Sequence, residues 1–196
     1  MGFKKIVIAA ALFGASAAQA APLFSDNFDT DTLGLNSIAF NGGWSVSGGT
    51  VDIIGAPGFF DLVPGNGRYI DLDGSTNKAG IFANSINVVN GMTYALSFDL
   101  AGNHRAAGMD TVMVNFGSGS QTYTLADTAG FQTFTLNYTA TGTGKVGFSF
   151  IDQGADQKGA LLDRVTVTAV PEPETYGMLL GGLALLGVVA RRRRQG

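Results

Sequence analysis

A chain of 196 residues has room for one domain of ordinary size plus terminal appendages. Only 14% of the residues are charged and 29 are glycine, which excludes a charged helical bundle or coiled coil. Cysteine is absent and histidine occurs once, as His104, so disulfide frameworks, thiol nucleophiles, cysteine-ligated zinc and multi-histidine metal sites are excluded too.

The first segment reads as an address. Lys4 and Lys5 precede the short apolar run Ile6 to Phe13, and Ala18-Gln19-Ala20 supplies the small-x-small pattern that signal peptidase cuts. Residues 1–20 are therefore expected to be a signal peptide, handed to the Sec machinery and removed after Ala20.

Residues 21–169 carry the body. The stretch 21–170 holds six basic residues against thirteen acidic ones, all aspartate, for a net charge of −7. Such a surface repels phosphates, so nucleic acid is excluded as a partner. Period-2 alternation predicts strands at Phe24 to Phe28, Gly43 to Val46, Thr50 to Ile54, Arg68 to Leu72, Gly80 to Val89, Tyr94 to Leu100, Val112 to Phe116, Phe134 to Tyr138, Val146 to Phe150 and Leu161 to Thr168. Glycine-rich turns separate them, among them Gly48-Gly49, Asp73-Gly74, Asn90-Gly91 and Gly117-Ser118-Gly119. Eight to ten short strands with one wet face each predict an all-β fold, a two-sheet antiparallel sandwich or jelly roll.

Little in this body suggests catalysis. Glutamate is absent from 21–170, and most aspartates sit in turn contexts such as Asp71-Leu72-Asp73-Gly74. No Gly-x-Ser-x-Gly elbow occurs, and Gly142-Thr143-Gly144-Lys145 lacks the following hydroxyl of a phosphate loop. The expectation is a non-enzyme. Exposed aromatic rings are the stronger signal, because the apolar faces of pyranoses stack on them. Phe59 and Phe60 follow the loop Gly55-Ala56-Pro57-Gly58, and two adjacent rings cannot both point to one face of a strand. They are candidate ligand contacts together with Tyr69, His104 and Arg105, while Trp44 reads as core. Asp163 shares strand parity with Leu161, Val165 and Val167, so this reading puts a carboxylate on the apolar side, where it needs donors, a basic partner or a cation.

The last segment, 170–196, begins with Val170-Pro171-Glu172-Pro173-Glu174. An uncharged apolar stretch, Tyr176 to Ala190, follows, and Arg191, Arg192, Arg193 and Arg194 close it. Fifteen apolar residues span about 22 Å as a helix against a hydrocarbon core of about 30 Å. This predicts a short transmembrane helix whose arginine stop stays cytoplasmic and whose body lies outside the inner membrane. The order of proline-acid motif, apolar helix and arginine block resembles the PEP-CTERM sorting signal. That resemblance implies export in a Gram-negative, exopolysaccharide-producing bacterium, transient membrane anchoring, and processing near the motif by an exosortase.

Phrases of the body are also similar to the secreted jelly rolls found ahead of such tails, and more loosely to galactose-binding-like sandwiches and carbohydrate-binding modules. Among them are Gly67-Arg68-Tyr69-Ile70-Asp71-Leu72-Asp73-Gly74-Ser75 and Leu161-Leu162-Asp163-Arg164-Val165. This resemblance implies non-catalytic binding, with extracellular polysaccharide as the candidate partner. It requires no cofactor but implies a structural Ca²⁺ near the chain termini, for which Asp26, Asp29 and Asp163 are the candidate ligands if the first and last strands are neighbours. A structural coat or matrix protein without a discrete ligand site is the alternative, and a secreted hydrolase ranks third.

Overall fold

The computed structural model describes residues 21–106, 108–171 and 173–193; the signal-peptide segment, Glu172 and Arg194 lie outside them. Among the described residues twelve strands form two antiparallel sheets, as the alternation predicts. The strands are β1 (Phe24–Asp26), β2 (Gly34–Ser37), β3 (Ser45–Ser47), β4 (Val51–Gly55), β5 (Arg68–Asp71) and β6 (Ile81–Val88) in the first half. The second half supplies β7 (Thr93–Ala101), β8 (Met109–Phe116), β9 (Gly119–Ala126), β10 (Gln132–Thr139), β11 (Gly144–Asp152) and β12 (Leu161–Val170). One sheet runs β10-β7-β12-β5-β4-β2, with β1 also paired to β12, and the other runs β3-β6-β11-β8-β9.

Alternation drives the packing. Leu96, Phe98 and Leu100 of β7 face Val112, Val114 and Phe116 of β8 and Phe148 and Phe150 of β11 across one continuous core. At one end Trp44 stacks on Phe82 with centroids 4.1 Å apart, and it meets Phe24 and Phe148 edge-on at 5.5 and 5.4 Å. Trp44 is thus core, and its indole N–H donates to Asp26 at 2.9 Å.

Two strands escape the pattern. β2 has no alternating apolar residues, and β9 buries only Tyr123 and Leu125, so neither stands out in the sequence. A helix, α1 (Pro173–Arg193), follows β12 after two residues. No helix among the described residues is long and apolar enough to cross a membrane.

The parity assigned to β12 needs correction. Asp163 pairs with Asp99 and Thr166 with Ser97, so Arg164 and Val165 together oppose Phe98 in a β-bulge. Arg164 takes a left-handed φ of 47° to make it. The extra residue shifts the alternation: Leu162, Val165 and Val167 enter the core, whereas Leu161 packs in a second cluster. Asp163 does not point between the sheets.

Candidate functional site

The outer face of the seven-stranded sheet is dressed where β4, β5 and β12 meet. Ile54, Tyr69, Ala101 and Leu161 form a small second core, and Phe59, Leu62, Val63 and Phe131 pack over it. Tyr69 is fully buried, and its hydroxyl accepts the N–H groups of Leu62 and Val63 at 2.6 and 3.0 Å. As a ligand contact Tyr69 is therefore a correction: its ring is the floor on which the 56–67 segment folds, with no face left for a sugar. Phe59 is half-buried on the same cluster and meets Phe60 edge-on at 5.2 Å.

Phe60 is different. Its backbone is left-handed, with φ at 50°, and the residue is 57% exposed. It stands at a cleft of about 320 Å³ lined by Leu35, Asp52, Ile54, Asp71, Ser75, Arg105 and Gln157. The lip is apolar and the base is ionic. Arg105 donates to Asp71 at 2.5 Å and to the Gln157 carbonyl at 2.9 Å, which leaves its Nε buried without a partner. Asn103, fully buried against Asp110, accepts the Arg105 N–H at 2.7 Å and so fixes the loop that carries the guanidinium. Asp52 and Asp71 lie opposite each other in the β4–β5 register, and Asp52 is engaged by Ser75 and by the Asn36 N–H.

The structure brings Phe60 and Arg105 together and leaves His104 apart. His104 is exposed, with its Nε2 3.1 Å from the Ala129 carbonyl, and it is not among the cleft residues. Leu35, Asp52, Asp71, Ser75 and Gln157 were not legible as site residues, because only the strand register and the 153–160 segment bring them to one place.

Burial governs the acids here. It pushes the Asp71 carboxyl up to about 7, against the opposing pull of Arg105. Asp71 also accepts N–H bonds from Asp73 and Gly159. Asp152, at the end of β11, accepts from Gly154 and Ala160 and is raised by burial to about 6. The 153–160 segment is thus held by carboxylates at both ends.

The first and last strands are neighbours, as the calcium expectation requires: Phe24 pairs with Val167 and Asp26 with Val165. Asp29 and Asp163 face one cavity of about 150 Å³ with Asn27, Gly65, Asn66 and Arg164. Asp26 is not among them, being bonded to Trp44. Asp163 is raised to about 7 by burial, offset by the Arg164 N–H and charge and reinforced by Asp29 and Asp99. Among the described residues no group of three or more acidic or histidine side chains is arranged to hold a metal.

Comparison with known proteins places this fold among the jelly rolls of carbohydrate-binding modules. The CBM22-1 xylan-binding domain of Paenibacillus barcinonensis Xyn10C superposes with a TM-score of 0.50 at 17% identity, covering 80% of this chain and 99% of that domain. The CBM22-1–CBM22-2 tandem of the same protein gives 0.52 at 20% identity, over 81% of this chain and 49% of the tandem. An exo-β-1,3-galactanase of Phanerochaete chrysosporium gives 0.43 at 18% identity, over 78% of this chain and 30% of the enzyme. No curated protein matches the sequence.

The tail is more particular. Residues 169–194 match the PEP-CTERM protein-sorting motif, which marks exported proteins that an exosortase processes.

Proposed function

We propose that this chain is an exported, exosortase-processed protein of the cell envelope or extracellular matrix, and that its sandwich binds a neutral glycan without turnover in the Phe60–Arg105 cleft. The exposed Phe60 ring beside the Arg105–Asp71 ion pair carries this reading. An apolar ring and Leu35 suit the C–H face of a pyranose, while the exposed Gln157 side chain suits its hydroxyls. Two carboxylates and a guanidinium already paired offer nothing to an acidic sugar, and the body's charge of −7 opposes one. The tail, with its arginine stop, supports temporary retention at the inner membrane with the sandwich on the periplasmic side. The apolar stretch of α1 is too short to make a comfortable permanent span.

On a neutral-glycan array, Phe60→Ala is expected to lower affinity at least tenfold and leave the melting temperature within about 2 °C, since an exposed ring contributes little to stability. Unchanged binding by Phe60→Ala would reject the cleft. Absence of binding by the unmodified protein would favour the structural-coat reading instead.

Asp29 and Asp163 offer hard oxygen donors of the kind Ca²⁺ takes, although the Arg164 guanidinium competes for Asp163. In this reading Ca²⁺ relieves the burial of the Asp163 charge and ties β12 to the segment after β1. Melting in millimolar Ca²⁺ is expected to exceed melting in chelator, because a ligand of the native state alone stabilises it. Equal midpoints would eliminate the ion.

A further inference from the structure

Open sheet edges expose unpaired backbone groups, and natural sheets blunt them with short strands, bulges, proline or charge. Three edge elements here follow that rule. β3 has three residues, β1 has three, and β2 has four with an irregular register against β4.

β10 does not follow it. All eight of its residues pair in unbroken register with β7 on one side, and among the described residues no strand pairs with the other side. Its sequence, Gln132-Thr-Phe-Thr-Leu-Asn-Tyr-Thr139, contains no charge, proline or glycine. β9, the edge of the facing sheet, lies along the same flank, with Tyr123 and Phe134 centroids 4.8 Å apart, and it is equally uncharged. Asp127 is the single charged residue from Gly117 to Gly144, in a body that elsewhere carries twelve aspartates. Phe134, Leu136 and Tyr138 point toward the core but stay only half-buried, because no described strand closes the sandwich beyond them.

We propose that β10 is a pairing edge for a second copy of this chain, joined antiparallel about a two-fold axis normal to the sheet. Such an axis preserves the faces of the sheet. Exposed Thr133, Thr135, Asn137 and Thr139 therefore meet the same polar set, a favourable cross-strand combination, and the half-buried rings and Leu136 meet their own kind. It also separates the two Asp127 side chains by about 27 Å, the length of the strand, which is well beyond the screening length of about 8 Å at physiological salt. A parallel pairing would bring them together.

The absence of native cysteine makes the test clean. Purified full-length chain carrying Thr135→Cys or Asn137→Cys is treated with a short bismaleimide, which reaches direct and diagonal cross-strand neighbours. Ser47→Cys, equally exposed on the short edge β3, serves as control. Covalent dimer is expected as the main product of at least one β10 variant and at no more than a tenth of that yield for the control. Adding Thr133→Lys and Thr139→Lys, at exposed positions that do not disturb the core, should cut the β10 yield at least tenfold. Monomer from both β10 variants, equal yield from the control, or dimer indifferent to the lysines would each overturn the proposal.

Discussion

Trp44→Ala is expected to destabilise the sandwich by about 3–5 kcal/mol, the range for removing a large buried aromatic side chain. Trp44 is 6% exposed and touches rings from four directions: Phe82 stacked beneath it, with Phe24, Phe28 and Phe148 around it. Those rings belong to β1, β6, β11 and the segment after β1, so one side chain joins both sheets near the edge where β3 is too short to cover the core. The substitution also removes the indole donor to Asp26. For a domain of this size the loss corresponds to a fall in melting temperature of about 6–20 °C. Trp44→Phe keeps most of the apolar volume and should cost less than half as much. A midpoint within 3 °C of the parent for Trp44→Ala, measured by calorimetry, would contradict this account of the core.

The second large effect concerns pH. Burial raises Asp71 and Asp163 to about 7 and Asp152 to about 6, all above the ordinary aspartate value of 3.8. The folded protein therefore binds protons that the unfolded chain releases between about pH 4 and 7. Stability from these groups is complete below the unfolded pKa and is lost as pH rises through the folded one. In metal-free buffer the melting temperature should thus be higher at pH 5 than at pH 8, by about 5 °C. Asp163→Asn should flatten part of the slope, since the amide is neutral at either pH. A midpoint that falls steadily on acidification from pH 8 to 5 would show that these carboxylates are ionised in the native state, with their N–H donors outweighing burial.

The sandwich was legible because most of its strands bury one face only. Tyr94 to Leu100 and Val112 to Phe116 alternate so strictly that period alone gives the element and its inward side. β9 was illegible for the opposite reason: as an edge strand it buries two residues, and the rest are serine, threonine and glutamine. Asp163 shows where counting by twos fails. Nothing local in Asp163-Arg164-Val165 announces a left-handed arginine, which arises where Phe98 opposes two residues of β12. Phe60 was readable as an exposed ring because glycine and proline precede it. The burial of Tyr69 is not legible in the sequence, because the 56–67 segment that covers it contributes its hydrophobics from outside any strand.

β12 has one further consequence. It begins at Leu161, opposite Asp71 at the base of the cleft, and ends at Val170, two residues before α1. Ten residues of strand place these ends about 30 Å apart. Scission beside Pro171 would occur at the hilt of the molecule and leave the blade untouched, so the glycan binding proposed for the cleft would serve a tethered and a liberated form alike.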